Sequence, residues 1–264
     1  MGARLNCQRW YTRLAAVVAS ADGFDVADAT VAAVSHVVAH EGTCLLAFHD
    51  DRPPEVLHHT LSKSAARHYL DRYLAGPYLL DPLYQAALET RQPMVLRFRD
   101  ARPDRFTSSS YYRRYCERTH LVDEIDYLTP VSAHTTLALV VGRRKRRFAG
   151  SELADLRTIS PLLYECLRRI WAQAAVNPVD RRGQQRLHRH LTRCFEEFGA
   201  ELLTERERQV AVALLRGHSA KSVARLLAIA PGTVMVHRKN LYTKLGIRSQ
   251  AELFSRFLEA LEAG

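Results

Sequence analysis

The residues best suited to chemistry lie between Arg216 and Arg248. Arg216, Lys221, Arg225, Arg238, Lys239, Lys244 and Arg248 make seven cations there, with no Asp or Glu among them. Such an imbalance calls for an anionic partner, and a nucleic-acid duplex is the default one. Two helical patterns carry these cations. In 220–227, Val223, Leu226 and Leu227 share a face. Ala228-Ile229-Ala230 is a tight break, and a second helix over 231–245 opens on Pro231-Gly232-Thr233, with Pro at a first helical position as the start signal. Two short helices joined by a turn, with cations outside, form a helix-turn-helix. Upstream, Thr204 and Glu207 have capping-box spacing for a preceding helix, and Gly217 stands where that helix must end in a left-handed residue. Val210, Leu214, Val223, Leu226, Ile229, Val234, Leu241 and Leu245 are the expected small core. Met235, Val236 and Lys239 lie on the opposite face of the second helix.

A second constellation is Tyr69 and Tyr73, four apart and so on one helix face, followed by Tyr78 and Asp81-Pro82. A buried Asp81 among phenols suits a ligand carrying an N–H or a cation, because an unpaired buried carboxylate is costly. The competing reading makes Asp81 the cap of the next helix, with Pro82 in its first turn and the tyrosines as core.

The elements around these residues follow from periodicity. Residues 6–39 read as two helices, 43–48 as a strand, and 50–54 as a turn returning through 56–59. A helix over 64–74 ends at Gly76-Pro77, and another runs from Asp81-Pro82 to Thr90. Strands are expected at 94–98, 124–128 and 135–141, with a helix over 109–119. Gly142-Arg143-Arg144-Lys145-Arg146-Arg147 is expected as a solvated basic turn, after which Ser151 caps a long helix to about residue 175. Hairpin-linked strands with helices at both ends suggest an α+β architecture. It comprises an α/β/α sensor domain with a mainly antiparallel sheet over 1–176, a linker and connecting helix over 177–198, and a four-helix DNA-binding domain over 199–264. The linker proper is Asn177-Pro178-Val179-Asp180-Arg181-Arg182-Gly183. In the last helix Ala251, Leu253, Phe254, Phe257, Leu258 and Leu261 form a stripe wider than one small core needs. Phe257 and Leu261 are therefore expected against a second copy, the alternative being the 184–198 helix of the same chain.

Composition narrows the function classes. A length of 264 residues suits two domains, the chain is 47% hydrophobic and 25% charged, and its net charge of +10 fits a polyanion partner. The five cysteines are scattered, odd in number and never paired as CxxC, which fits a reducing cytoplasm without a disulfide framework. No signal peptide or membrane-length apolar run is visible. The histidines (His36 and His40, His58-His59, His188 and His190) complete no metal-ligand set, so neither metal nor cofactor is expected. Without a GxG, a P-loop, a GxSxG elbow or a nucleophile–base pairing, an enzyme is not expected either.

The stretches Leu203-Thr204-Glu205-Arg206-Glu207, Leu214-Leu215-Arg216-Gly217-His218-Ser219-Ala220-Lys221 and Thr233-Val234…Asn240-Leu241-Tyr242…Lys244-Leu245-Gly246 resemble the C-terminal domain of bacterial LuxR/FixJ/NarL-type transcription regulators. The resemblance implies that Met235, Val236 and Lys239 face base edges while Lys221, Thr233, Arg238 and Lys244 hold phosphates. Met235 replaces a common Lys and implies an apolar contact, such as a thymine methyl. It also implies a homodimer on an inverted-repeat site, with RNA polymerase as a candidate further partner. Tyr69, Tyr73, Tyr78 and Asp81-Pro82 resemble the acyl-homoserine-lactone-binding domain of quorum-sensing LuxR proteins, which implies a small-molecule ligand at those four residues. Three features depart from that pattern. Tyr69 replaces a Trp, no Trp occurs between Trp10 and Trp171, and Asp126 stands where a glycine is expected four residues before Pro130. The competing readings are a ligand-independent regulator and a phosphoacceptor receiver using Asp50-Asp51, Asp100 and Thr129. The receiver would require Arg52-Pro53-Pro54-Glu55 to lead into a helix, and its lysine would have to be Lys145.

Overall fold

Near-continuous apolar runs along 42–49 and 135–143, buried on both faces, place these two segments side by side at the centre of a five-stranded sheet. In the computed structural model, which describes residues 3–20, 23–174 and 181–263, the strands are β1 (Gly42–His49), β2 (Glu55–His59), β3 (Met94–Arg97), β4 (Asp123–Ser132) and β5 (Thr135–Arg143). Their order is β2-β1-β5-β4-β3, and every pair is antiparallel. A phosphoacceptor receiver is instead a doubly wound parallel fold, so this sheet rules that reading out.

The two sheet faces have different neighbours. Leu45, Ala47, Ile125, Tyr127, Leu139 and Val141 pack against helices α1 (Gln8–Ala19) and α2 (Gly23–Val37) and against two helices near residue 160. On the other face Leu46, Phe48, Leu128 and Ala138 meet Tyr78, Leu80, Leu83 and Tyr84. The second layer includes α3, a helical run over 63–74 whose middle turn, Arg67–Asp71, is a π-helix, and α4 (Pro82–Glu89). A short helix at Phe98–Ala101, absent from the expected elements, continues β3. The result is the expected α/β/α layering.

Arg144, Lys145, Arg146 and Arg147 are exposed as expected of a solvated turn, but Arg143 is not. Arg143 belongs to β5 and is 2% exposed; it donates to Glu152 at 2.8 Å and to the Ala39 carbonyl, while Arg146 donates to the same carboxylate at 2.9 Å. These guanidinium bonds hold Glu152 down to about 2. The Ala149 N–H donates to Glu152 at the start of α5 (Gly150–Thr158), so Ala149, and not Ser151, occupies the cap position. α6 (Ser160–Ala174) follows directly.

Of the expected linker, 177–180 lies outside the described residues, and 181–183 already belong to α7 (Arg181–Glu196). Then come α8 (Glu205–Leu215), α9 (Ala220–Leu226), α10 (Pro231–Leu245) and α11 (Gln250–Ala263). The last three of these with α8 form the four-helix unit. Leu226 is 61% exposed, contrary to its expected core role. A two-turn helix turns one strip inward, and that strip is Ala220, Val223, Ala224 and Leu227, at spacings of three, four and seven. Phe257 is also not left for a second copy. It is fully buried, edge-on to Phe195 of α7 at 5.3 Å and to Phe198 at 5.7 Å. The intrachain alternative therefore holds for Phe257, because α7 reaches back over α11.

The helical unit also touches the loop after β3. The Arg105 N–H donates to the Gly217 carbonyl at 3.0 Å, and Asp104 accepts from the Ser219 N–H at 2.9 Å and from its hydroxyl. Gly217 has φ +93°, and a β-carbon there would lie 2.8 Å from the Phe106 Cα, so both conformation and contact demand glycine.

Candidate functional site

α10 begins at Pro231 without a side-chain cap and ends at Gly246, which is left-handed at φ 65°. Val234 and Leu241 anchor its inner face at 0% exposure. On its outer face Thr233, Met235, Val236 and Lys239 are exposed, with Met235 at 46% and Val236 at 57%. Large apolar side chains held this far out on a basic helix suit contact with base edges and thymine methyls. Arg238 is half-buried on the same helix. Lys221 is exposed in the first turn of α9, just after its cap Ser219, whose hydroxyl accepts from the Ser222 N–H.

Lys244 is held differently from the other expected phosphate ligands. Its Nζ donates to Glu207 Oε2 at 2.7 Å, and the same carboxylate accepts from the Thr204 N–H at 2.8 Å. Thr204 Oγ1 in turn accepts from the Glu207 N–H, completing the capping box. Burial pushes the Glu207 carboxyl up, but the Lys244 ammonium and the Thr204 hydrogen bonds outweigh it and hold Glu207 below its usual range. Lys244 therefore ties α10 to α8. Lys244→Ala should lower stability by about 1–2 kcal/mol, with the pair's partial exposure keeping the loss below that of a fully buried pair. Urea unfolding and the salt dependence of DNA binding check this together. A slope reduced by about one unit with unchanged stability would make Lys244 a phosphate ligand instead.

On the α3–α4 side of the sheet lies a cavity of about 290 Å³. Tyr69, Tyr73 and Asp81 line it, as the resemblance implies, together with Tyr111, Tyr115, Glu124 and Val140. Asp81 also caps α4: its Oδ1 accepts from the Leu83 N–H at 2.9 Å, and its Oδ2 accepts from the Tyr73 hydroxyl at 2.7 Å. Asp81 is thus the cap of α4, and it also lines the cavity. Burial pushes Asp81 up to about 6 although both hydrogen bonds favour its charged form. Tyr78 does not line this cavity. It is fully buried, stacked on His188 with its hydroxyl 2.8 Å from Nδ1, and edge-on to Tyr84. The turn Pro77–Leu80 aims it toward α7, away from Tyr73's neighbours in the cavity.

Glu124 and Asp126 were not among the residues the spacing singled out as ligand contacts. Glu124 lines the cavity, and burial followed by the nearby Asp81 pushes it up to about 8, opposed by Arg102. Asp126 is 0% exposed, and neither of its carboxyl oxygens has a hydrogen-bond partner among the described residues. The available signal was three carboxylates, Asp123, Glu124 and Asp126, within four positions of one strand. Tyr112 and Tyr115, from a run of π- and 3-10 turns over 112–119, and Tyr111 just before it also line the cavity. Among the described residues no group of three or more His, Cys, Asp or Glu is placed to hold a metal ion, and no helix is long and apolar enough to cross a membrane.

The cavity wall and the helix-turn-helix meet in one segment. Arg102, Tyr111 and Tyr112 line the cavity, and Asp104, Arg105 and Phe106 between them contact Gly217 and Ser219.

Comparison with known proteins gives a consistent picture. Residues 201–257 match the family model of bacterial regulatory proteins, luxR family. A putative HTH-type transcriptional regulator in the exeN 3' region of Aeromonas salmonicida is 35% identical over 156 residues, spanning 57% of this chain and 80% of that relative. The transcriptional regulatory protein UhpA of Escherichia coli is 47% identical over 57 residues, but only 22% of this chain and 29% of UhpA are matched. Among solved structures, the VqsR LBD domain from Pseudomonas aeruginosa shares the fold with a TM-score of 0.57 and 21% identity, over 63% of this chain and 98% of that one.

Proposed function

Since the chain belongs to the luxR family of bacterial transcriptional regulators, we propose that it binds a specific DNA site as a homodimer under the control of a small molecule held in the cavity beside Asp81. The observation that carries this reading is the shared segment 102–112, which walls the cavity on one side and contacts the helix-turn-helix on the other. A molecule filling the cavity changes the packing of Tyr111 and Tyr112, and the loop at Asp104–Phe106 passes that change to Gly217 and Ser219. In this reading the chain binds its ligand without turning it over. Tyr69, Tyr73 and Asp81 contact the ligand, and Tyr78 supports them from the core.

Small molecules released from the purified full-length chain are to be identified and removed, and the affinity for a duplex selected from random sequences is to be compared with and without them. Coupling of the usual size changes that affinity about 5–150-fold. A chain that carries nothing and binds its duplex equally well under every addition refutes ligand control and leaves a ligand-independent regulator.

On the DNA side, Met235, Val236 and Lys239 read bases, while Lys221, Thr233 and Arg238 hold phosphates. Lys239→Ala should relax specificity at one base pair of each half-site, a loss of about 1–3 kcal/mol against the preferred sequence. Binding to a panel of single-base variants of the selected site checks this. Uniform weakening across the panel would move Lys239 to the phosphate backbone.

A further inference from the structure

In β4, side chains alternate across the sheet. Ile125 and Tyr127 point into the layer with α2 and α6, while Leu128 belongs to the opposite core. Glu124 and Asp126 share the face of Leu128. Asp126 stands opposite Val140 in β5, and both Val140 and Glu124 line the cavity, so Asp126 lies on the same sheet face directly beneath that lining. It is fully buried with both oxygens unpartnered among the described residues. No hydrogen bond or ion pair joins the Glu124 carboxyl to another group among the described residues. The nearest cation to act on it is Arg102, whose guanidinium lies over the Phe98 and Phe106 rings at 6.0 Å.

A buried carboxyl without a partner is destabilising whether it ionises or keeps its proton. The buried Asp126, the half-buried Glu124 and Asp81 repel one another when charged. The missing complement is a positive charge bearing several N–H donors. The rest of the wall is also suited to a cation: Tyr69, Tyr73, Tyr111, Tyr112 and Tyr115 surround the space, and phenol rings attract cations on their faces. Of the four arginines that line the cavity, Arg99, Arg144 and Arg147 are exposed to solvent, which screens them from the interior, and the half-buried Arg102 lies over two aromatic rings.

We propose that the cavity takes a primary or secondary amine on an apolar body, with its ammonium seated on Glu124 above the buried Asp126 and its apolar part among the tyrosines. This rests on the reading of the cavity as the regulatory ligand site.

The test uses three probes of one chain length: octylamine, octyl alcohol and octyl acetamide. Each is titrated into the full-length chain and into a Glu124→Gln, Asp126→Asn double variant, with calorimetry and thermal unfolding as readouts and affinity for the selected duplex measured in parallel. Octylamine is expected to bind the wild type at least about tenfold more tightly than either neutral probe. In the double variant that preference should vanish while the neutral probes bind as before, and the ligand-free variant should melt no lower than wild type. Equal binding of all three probes by the wild type, a preference that survives in the double variant, or no binding of octylamine overturns the proposal. If neutral probes bind and alter DNA affinity, the amine fails while ligand control stands. If octylamine binds as expected without altering DNA affinity, the site stands and ligand control fails.

Discussion

Replacing Phe257 with alanine is expected to cost the folded chain about 3–5 kcal/mol, the usual loss for truncating a buried aromatic ring. Phe257 is 0% exposed and receives the edges or faces of two other rings, Phe195 and Phe198. Those pairings add to the transfer term, and the site cannot collapse easily because α7 and α11 approach each other along this line. Phe254, Leu253 and Val210 belong to the same apolar cluster, so a cavity opened at Phe257 is felt across the four-helix unit. Urea unfolding of the full-length chain gives the measurement, and sedimentation of wild type and variant at one concentration gives the control. Loss of self-association with stability unchanged would return Phe257 to an interface between copies. Exchanging Phe257 for leucine should recover much of the loss, since the pocket is filled again while the ring pairings remain absent.

The second large effect is a dependence of stability on pH set by Glu124 and Asp126. Burial, then Asp81, pushes Glu124 up to about 8; burial, then Glu124 and Asp81, holds Asp126 well above the usual carboxylate range. A carboxyl whose pKa is raised by folding keeps its proton in the folded chain after the unfolded chain has lost it. Stability from such a group is present at low pH and falls as pH rises toward the folded value. His40, His188 and His218 work the other way, since burial lowers each of them from the ordinary 6.5, and their contribution rises with pH only below that value. Above 6.5 and up to about 8 the carboxyls therefore dominate. In that window the ligand-free chain should lose up to about 1.4 kcal/mol per pH unit for each carboxyl still protonated. Denaturation midpoints measured across the window for wild type and for Glu124→Gln check this. The wild type should weaken with rising pH, and the variant should follow a flatter line. Parallel lines would show that Glu124 ionises in the folded state as it does in the unfolded one.

Much of this chain is legible from residues that lie close together in sequence. The capping box of Thr204 and Glu207, the left-handed glycines at 217 and 246, the Pro231 start of α10 and the unopposed cations from 216 to 248 act within one or two turns of backbone, so their types and spacing suffice. Period-two and period-3.6 patterns likewise place the strands and most helices, because each element must turn one face inward whatever covers it. What covers it is a tertiary matter. The partner of Lys244 is Glu207, 37 positions away, so its role as a tie between helices cannot be read from the charge run alone. Arg143 sits inside a run that looks solvated, and it is buried because Glu152 and the Ala39 carbonyl converge on it from two other elements. Phe257 finds Phe195 and Phe198 only once α7 folds back over α11. Asp126 is the sharpest case. Its identity and its strand are plain in the sequence, but its isolation depends on the layer that α3 and α4 lay over the sheet, and the energy of an unpaired carboxyl is set by what surrounds it and not by its neighbours in the chain.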